Sequence, residues 1–191
     1  MMMTSRVVRA ALCGLSFSLV FGVTGGFAAP PLLRWNGPAG GVWDAATPNW
    51  LDAGDNAVAW IPGAEAVFEG AGGLIEIAAD VSATNLTFTG NGYTLLGAGR
   101  LYVEGVLTAA TATTNSIVAD LCTAGGLTKS GAGALALARC AGLVSVQGGS
   151  LLAAGSLFVD AEIAVAADAS LVTLGEPDSG ANLIVNGSFE T

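Results

Sequence analysis

The sequence of 191 residues contains no histidine, and its charged residues make up 11% of the chain, against about 25% in ordinary soluble domains. The absence of histidine excludes a Ser/His/Asp triad, an imidazole metal site and the usual general base at neutral pH. Six basic residues face 15 acidic ones, so the clustered Lys and Arg that a phosphate backbone requires are missing. We therefore expect no nucleic-acid partner. The low fraction of charged residues also argues against a helical bundle.

A long apolar run is also missing, although 52% of the residues are hydrophobic. No stretch reaches the roughly 18 apolar residues of a transmembrane helix. The N-terminus has the layout of a signal peptide instead: Arg6 and Arg9 precede an apolar stretch from Ala10 to Val23, and Gly26 and Ala28 are small residues at the positions that a signal peptidase reads. We predict cleavage after Ala28 and a secreted or cell-surface location. The alternative, an uncleaved anchor, is disfavoured by the Gly and Ser residues within the short apolar stretch.

The rest of the chain has two parts, which differ in composition and in the periodicity of their apolar residues. Residues 29–73 contain all four tryptophans and five of the six prolines, which predicts an irregular N-terminal cap. From Leu74 onward, short stretches alternate between apolar and small or polar residues and end at glycines, as in Leu86–Thr89, Leu101–Glu104 and Leu135–Ala138. This period of two predicts strands of about four to six residues. No segment has the apolar stripe and capping residues of an amphipathic helix.

Similar strand beginnings recur at Gly133, Gly149 and Ala169, and the second offset is longer than the first. An irregular recurrence of this length is typical of a β-solenoid, in which short strands of successive coils stack into parallel sheets. The predicted fold is therefore all-β, with about five short coils over residues 74–181. An antiparallel β-sandwich with hairpins at sites such as Asn91-Gly92 is the alternative, because short strands and glycine turns fit both architectures.

Cys122 and Cys140 are the two cysteines outside the predicted signal peptide. Their separation along the chain lies within the offset range of the repeats, so the two residues are predicted to stack, or nearly so, on adjacent coils. Backbones about 4.8 Å apart satisfy the Cα distance of a disulfide, which is about 4.4 to 6.8 Å. An exported protein enters an oxidising compartment, which makes the pair a disulfide candidate. Two small buried thiols are the alternative.

Two runs within the repeats carry a family pattern: GGLTKSGAGALALA, from Gly125 to Ala138, and VQGGSLLAAG, from Val146 to Gly155. They resemble the autotransporter-associated β-strand repeat of large secreted or surface proteins of bacteria. The polar Asn-Thr-Tyr segment typical of that repeat is replaced here by residues 138–145. The residues that match the pattern are Gly125, Gly126, Leu127, Thr128, Lys129, Gly131, Gly133, Leu135, Leu137, Val146, Gly149, Leu151 and Gly155. The resemblance implies a right-handed parallel β-helix that displays or spaces other domains outside the cell, without catalytic residues.

Two flanking segments resemble parts of other exported proteins. Residues 34–50, RWNGPAGGVWDAATPNW, resemble the tryptophan-bearing start of similar repeat proteins, and residues 182–190, NLIVNGSFE, resemble the opening strand of galactose-binding-like modules. We interpret the chain as a fragment with a signal peptide (1–28), a cap (29–73), repeats (74–181) and the start of a truncated module (182–191). The expected partners then include missing downstream domains of the same protein.

The tryptophans admit two roles. Trp43 and Trp50 are the best candidates for stacking against sugar rings. The residues that would complete such a site are Trp35 and Trp60, with Asp44, Asn49, Asp52 and Asn56 as partners for hydroxyl groups. The favoured role is to cover the end of the solenoid, because the tryptophans cluster before the repeats and cease where these begin. An extracellular polysaccharide or another cell-surface component is the partner that the first role implies.

Catalysis is not expected, because the acidic residues are spread singly over the predicted coils, whereas glycoside cleavage requires converging carboxylates. The segment Asp52–Asn56 lacks the alternating ligand spacing of a calcium loop, so neither a metal site nor another cofactor is expected. We predict an exported structural or surface-display module that acts as a spacer or adhesin-like stalk. A carbohydrate-binding adhesion module is the alternative, and a polysaccharide-degrading β-helix enzyme is a further one.

Overall fold

A computed structural model of the chain describes residues 29–157 and 163–173. The regular elements within these ranges are strands, and none of the described segments forms a helix with the length and hydropathy that crossing a bilayer requires. The predicted signal peptide, the predicted truncated module and residues 174–181 of the predicted repeats lie outside the described residues. In chain order the strands are β1 (Leu32–Trp35), β2 (Gly41–Trp43), β3 (Trp50–Leu51), β4 (Ala57–Val58), β5 (Glu65–Phe68), β6 (Leu74–Ile77), β7 (Val81–Ala83), β8 (Leu86–Phe88), β9 (Thr94–Leu96), β10 (Arg100–Val103), β11 (Val106–Ala109), β12 (Thr114–Ile117), β13 (Asp120–Cys122), β14 (Leu127–Ser130), β15 (Ala134–Ala141), β16 (Val144–Val146), β17 (Gly149–Leu157), β18 (Ile163–Val165) and β19 (Ala169–Thr173).

These strands form three parallel sheets that the chain visits in turn. The first sheet contains β1, β5, β8, β11, β14, β16 and β18, and the second contains β2, β6, β9, β12, β15, β17 and β19. The third contains β7, β10, β13 and the C-terminal part of β15. Leu86, for example, pairs in parallel with Ala66 of one coil and with Leu107 of the next. The prediction of a parallel β-solenoid of about five turns is therefore confirmed, and the antiparallel sandwich is excluded.

The strands bury alternate residues, because successive side chains point to opposite faces of a sheet. In β8, Leu86 and Phe88 are buried, whereas Thr87 lies between them on the outer face. One apolar core therefore runs along the solenoid, and Phe68 stacks on Phe88 of the adjacent coil with ring centroids 4.9 Å apart. Burial of each large apolar side chain contributes roughly 1.5–3 kcal/mol, so this core is the main source of stability.

The turns between the first and second sheets differ in length. They comprise residues 69–73 after β5, residues 147–148 after β16 and residues 166–168 after β18. The interval between register partners on the first sheet also varies. Lys129 follows its partner Leu107 by a longer interval than Val146 follows its partner Lys129. The irregular offsets in the sequence therefore reflect coils of different length, to which these turns contribute only a part.

Parallel stacking begins before the predicted start of the repeats at Leu74. β1 pairs in parallel with β5, and β2 pairs in parallel with β6, so strands of the segment predicted as a cap belong to the same stack as the repeats. An insertion distinguishes the first coil. In this insertion β3 and β4 form an antiparallel pair, and β3 lies antiparallel along β1. The cap is thus an elaborated first coil, and residues 69–73, which precede Leu74, are an ordinary corner of the second coil.

The two cysteines lie on adjacent strands of the third sheet, one residue out of register. Cys122 of β13 is opposite Ala141, and Cys140 of β15 is opposite Leu121. Cys140 points into the core and is 3% exposed, whereas Cys122 is half-buried. Neighbouring positions along a strand face opposite sides of the sheet, so this register directs the two side chains apart. The stacking of adjacent coils therefore does not by itself bring the two sulfur atoms together, and the disulfide stays a prediction.

Cys140 is expected to resist alkylation in the folded protein. Burial raises the pKa of its thiol to about 11, so little thiolate forms at about pH 8. Peptide mapping after brief treatment with iodoacetamide should find Cys140 unmodified. After unfolding without a reductant, both cysteines should carry the label. An unfolded, unreduced chain that takes up no label would show that the two sulfur atoms are bonded, which would contradict the register described above.

Candidate functional site

Three tryptophans fill the core at the N-terminal end of the solenoid and form what we call the tryptophan cluster: Trp43, Trp50 and Trp60. Trp43 and Trp50 have 0% of their surface exposed, and Trp60 has 3%. Their ring centroids lie 4.6 to 5.0 Å apart, within the range of favourable aromatic packing. Phe68 of β5 continues the cluster toward the next coil, 5.5 Å from Trp50. The indole rings therefore close the end of the apolar interior.

The burial of Trp43 and Trp50 leaves no ring face for a ligand. A pyranose ring stacks on an exposed aromatic face, and neither side chain offers one. Their Nε1 atoms have no hydrogen-bond partner among the described residues, which costs about 1–3 kcal/mol for each buried donor. The structure thus places the two sequence-based candidates for sugar stacking inside the core, where their role is packing.

The polar residues predicted to accompany the tryptophans are engaged in turns. Asp44 accepts hydrogen bonds from the backbone N–H groups of Thr47 and Ala46, at 2.6 and 2.8 Å, and these bonds hold the pKa of its carboxyl below the ordinary value. Asp52 accepts hydrogen bonds from the backbone and side chain of Asn56, at 3.0 and 3.1 Å, and its pKa is lowered for the same reason. Both carboxylates therefore stabilise the insertion of the first coil.

The first coil blocks the N-terminal edge of all three sheets. On the first sheet, β3 and β4 cover β1 by antiparallel pairing. On the second sheet, the Asn49 side-chain amide donates a hydrogen bond to the Val42 carbonyl of β2, at 2.9 Å. On the third sheet, the Trp60 indole N–H donates to the Ser82 carbonyl of β7, at 3.1 Å. An unpaired edge would recruit strands of other chains, so these contacts terminate the stack at this end.

Asn49→Ala is expected to lower the free energy of unfolding by about 1 kcal/mol, because the Val42 carbonyl loses its donor. Urea unfolding followed by tryptophan fluorescence measures the change. Asn36→Ala is the matched control, since the Asn36 side chain makes no hydrogen bond among the described residues. Equal losses in the two variants would show that Asn49 does not protect the edge of the second sheet.

Lys129 is a buried charged residue on the inner face of the first sheet. Its side chain is 0% exposed, and Nζ donates hydrogen bonds to the carbonyls of Gly131, Gly133 and Gly148 at 2.8, 2.7 and 2.7 Å. Burial lowers the pKa of this ammonium. All three donors of the ammonium are used, and the side chain ties the corner after β14 to the corner after β16. Lys129 therefore fixes the register of two coils where the corners shorten.

The sequence analysis assigned Lys129 to the repeat pattern and missed this role. The sequence does indicate that Lys129 is buried, because the alternation of β14 places it on the same face as the apolar Leu127. Asn115 has a related role in an earlier coil: it is 2% exposed, accepts a hydrogen bond from the Tyr93 N–H at 2.8 Å and donates to the Gly90 carbonyl at 3.1 Å. Buried polar side chains thus satisfy the backbone at corners between the first and second sheets.

A cleft of about 200 Å³ lies at the same corner in the first two coils, between the turns 36–40 and 69–73. The residues that line it include Trp35, Asn36, Glu69 and the buried Tyr93. The Tyr93 hydroxyl donates a hydrogen bond to the Glu69 carbonyl, which holds the second turn in place. Burial, followed by the charge of Glu69, raises the pKa of Tyr93, so its hydroxyl stays protonated at neutral pH.

Some of the other described charged side chains form ion pairs on the surface; Arg34, for example, lies beside both Asp55 and Glu69. Within residues 29–157 and 163–173, no group of three or more His, Cys, Asp or Glu side chains could hold a metal ion. Asp120 instead pairs with Arg139 across the outer face of the third sheet, at 2.9 Å. Such an exposed ion pair contributes at most about 1 kcal/mol. The carboxylates described here are thus distributed as surface and turn residues.

Comparison with known proteins finds a similarity to a bacterial adhesin. The chain is 30% identical to the adhesin BmaC autotransporter of Brucella suis biovar 1 (strain 1330), in an alignment that covers 92% of this chain and 5% of that protein. The chain resembles part of an autotransporter adhesin. No protein-family model matches it, and no solved structure does so either. The similarity and the β-solenoid fold together support a surface or secreted adhesin-like protein of the autotransporter-passenger type.

The adhesin-like chain spans about 5% of the length of the relative that it matches. The alignment therefore compares one stretch of a long protein with nearly all of this chain. The resemblance of residues 182–190 to a galactose-binding-like module concerns positions outside the described residues, and the comparisons do not address it.

Proposed function

We propose that this adhesin-like chain is a non-catalytic spacer that carries attached domains away from the cell surface. The observation that carries the proposal is the continuous parallel stack, which is closed at one end by the first coil and its tryptophan cluster. A stack grows by adding coils, each about 4.8 Å thick, so the first sheet from β1 to β18 spans roughly 29 Å. Its length is set by the number of coils, which is the property that a spacer requires.

The surface chemistry supports a role that involves no reaction. The chain has a formal net charge of −9, and its described carboxylates lie in turns or on outer faces without a convergent acid and base. Export is part of the proposal, since the predicted signal peptide with cleavage after Ala28 accounts for a route out of the cytoplasm. The adhesin similarity supports the same location.

Surface display of a fusion protein tests the proposal. The full chain is placed ahead of an autotransporter translocator domain in a Gram-negative host, with an epitope tag inserted after Ala112, in an exposed turn. Antibody should bind the tag on intact cells, and external protease should remove it. The matched control lacks residues 1–28 and should retain the tag inside the cell. Internal retention of the complete fusion, or release of sugar products from added polysaccharides, would contradict an exported, non-catalytic spacer.

A further inference from the structure

Charged side chains of alternating sign form one row on the outer face of the third sheet, which we call the charge ladder: Asp80, Arg100, Asp120 and Arg139. The residues that follow them in sequence are buried and pair from coil to coil: Val81, Leu101, Leu121 and Cys140. Arg100 is in register with Asp120, and its backbone N–H donates a hydrogen bond to the Asp80 carboxylate at 2.9 Å. Nη1 of Arg139 lies 2.9 Å from the Asp120 carboxylate. The ladder therefore reads acid, base, acid, base along the stack.

The charge ladder is accessible to a partner. Asp80 and Arg100 are exposed, and the side chains of Arg139 and Asp120 are 56% and 42% exposed. Exposed ion pairs of this kind add little to the stability of the chain that contains them. The four charges of the ladder cancel, whereas the whole chain has a formal net charge of −9. Two copies of the chain, which repel each other as acidic molecules, therefore meet no net repulsion at this face.

We propose that the charge ladder pairs with the same ladder of a second copy that runs in the opposite direction. Reversal places Asp80 opposite Arg139 and Arg100 opposite Asp120, so all four positions face an opposite charge. A two-fold axis parallel to the strands, midway between β10 and β13, produces this arrangement and closes a dimer. The contact goes beyond the spacer function, because it gives the side of the stack a partner.

The opposite direction follows from the order of the charges. Two copies that run in the same direction and in register place every charge of the ladder opposite a like charge, which is unfavourable. A shift by one coil removes that repulsion, but it leaves one charge at each end without a partner in the other copy. The reversed arrangement alone pairs all four positions and uses the same surface of both copies.

The neighbouring outer row of the third sheet is compatible with this arrangement. Its residues are half-buried and uncharged: Ser82, Tyr102, Cys122 and Ala141. Reversal places Tyr102 opposite Cys122 of the second copy. Glu104 follows β10 at the margin of the face, whereas β13 ends at Cys122 and is followed by Thr123 and Ala124. The described residues of this face therefore bring no like charges together in the reversed pair.

The size of the ladder sets the expected affinity. Four strands about 4.8 Å apart make a row about 14 Å long. Stable complexes bury about 800 Å² on each partner, which is more than such a row supplies. Pairing of two chains is therefore weak, with a Kd of roughly 1 mM. Because its contacts are exposed ion pairs, it weakens as the salt concentration rises.

Sedimentation equilibrium of the full chain tests the proposal. We expect a monomer–dimer equilibrium with a Kd of roughly 1 mM at about 20 mM salt, and a Kd at least about fivefold higher at about 0.5 M salt. Asp120→Arg should raise the Kd at least about tenfold, because Arg100 then faces a base of the other copy at both inner positions.

Exchange of the two inner charges, Arg100→Asp with Asp120→Arg, separates pairing between copies from pairing within the chain. The exchanged ladder reads acid, acid, base, base, so like charges become neighbours within each chain. Reversal of the second copy nevertheless places an opposite charge at all four positions, and the Kd should return to within about threefold of the parent value. Asp80→Arg with Arg139→Asp is a second exchange of the same kind and should also keep the Kd of the parent.

Glu76→Arg is the matched control, because it makes the same change of charge at an exposed position on the outer face of the second sheet, and its Kd should equal that of the parent. Circular dichroism reports whether each variant is folded. A parent chain that stays monomeric at about 2 mM in low salt would overturn the proposal. A Kd that Asp120→Arg leaves unchanged, or folded exchange variants that both fail to recover pairing, would overturn it as well.

Discussion

We expect Lys129→Met to lower the free energy of unfolding by about 2–4 kcal/mol, because three glycine carbonyls in a buried corner lose the donor that they share. Methionine keeps most of the side-chain volume, so the change reports on hydrogen bonding more than on packing. Urea unfolding at neutral pH, followed by circular dichroism and tryptophan fluorescence, measures the loss. Thr128→Ala is the control on the outer face of the same strand and should change stability by less than about 0.5 kcal/mol.

The same variant should alter how stability depends on pH. Burial lowers the pKa of Lys129 below its ordinary value of 10.5, so the folded chain binds this proton more weakly than the unfolded chain does. Its contribution to stability therefore rises as the pH increases from the folded pKa toward 10.5. Cys140 acts in the opposite sense, since its raised pKa of about 11 removes stability above pH 9, the ordinary value. The difference between the parent and Lys129→Met isolates the lysine, and equal pH profiles would contradict its burial as a charged group.

We expect Trp50→Ala to lower the free energy of unfolding by about 3–5 kcal/mol, the second large effect. Trp50 has 0% of its surface exposed and contacts Trp43, Trp60 and Phe68 at centroid distances of 4.6 to 5.5 Å. Truncation leaves a cavity that rigid neighbouring rings cannot fill. The measurement is the same urea unfolding, followed by circular dichroism.

Trp50→Phe provides the matched comparison. It retains an aromatic ring and removes an indole N–H that has no partner among the described residues, so it should cost less than half as much as Trp50→Ala. If Trp50→Ala were no less stable than the parent, the tryptophan cluster would not be the closure of the core.

The fold was predictable because its cause is local. Apolar residues at every second position and glycines at recurring offsets specify short strands joined by tight corners, and parallel stacking satisfies both. Corner lengths were not predictable, since they depend on which side chains fill each corner. The relative position of Cys122 and Cys140 was not predictable either. Their separation lies within the range of the repeat offsets, but the partner of Cys140 at this point of the third sheet is Leu121, the residue just before Cys122.

The candidate site was less predictable than the fold. Four tryptophans in one segment fit a core as well as a binding face, and nothing in the sequence distinguishes the buried Trp43 and Trp50 from the half-buried Trp35. Trp35 was one of the four tryptophans considered for sugar stacking, and only the structure places it beside a glycine turn and Glu69, which is distant in sequence. Periodicity identifies which residues are inside a strand, but the exposure of residues in an irregular insertion depends on tertiary packing.

The register of the first sheet makes neighbouring coils complementary in size. Phe68 and Phe88 are aligned, and the next residue in that row is Ala109. In the other inner row, Leu86 is followed by Leu107 and then by Lys129. Each coil therefore presents a different inner surface to its neighbours, and a coil copied to a distant place in the stack would meet side chains of the wrong volume.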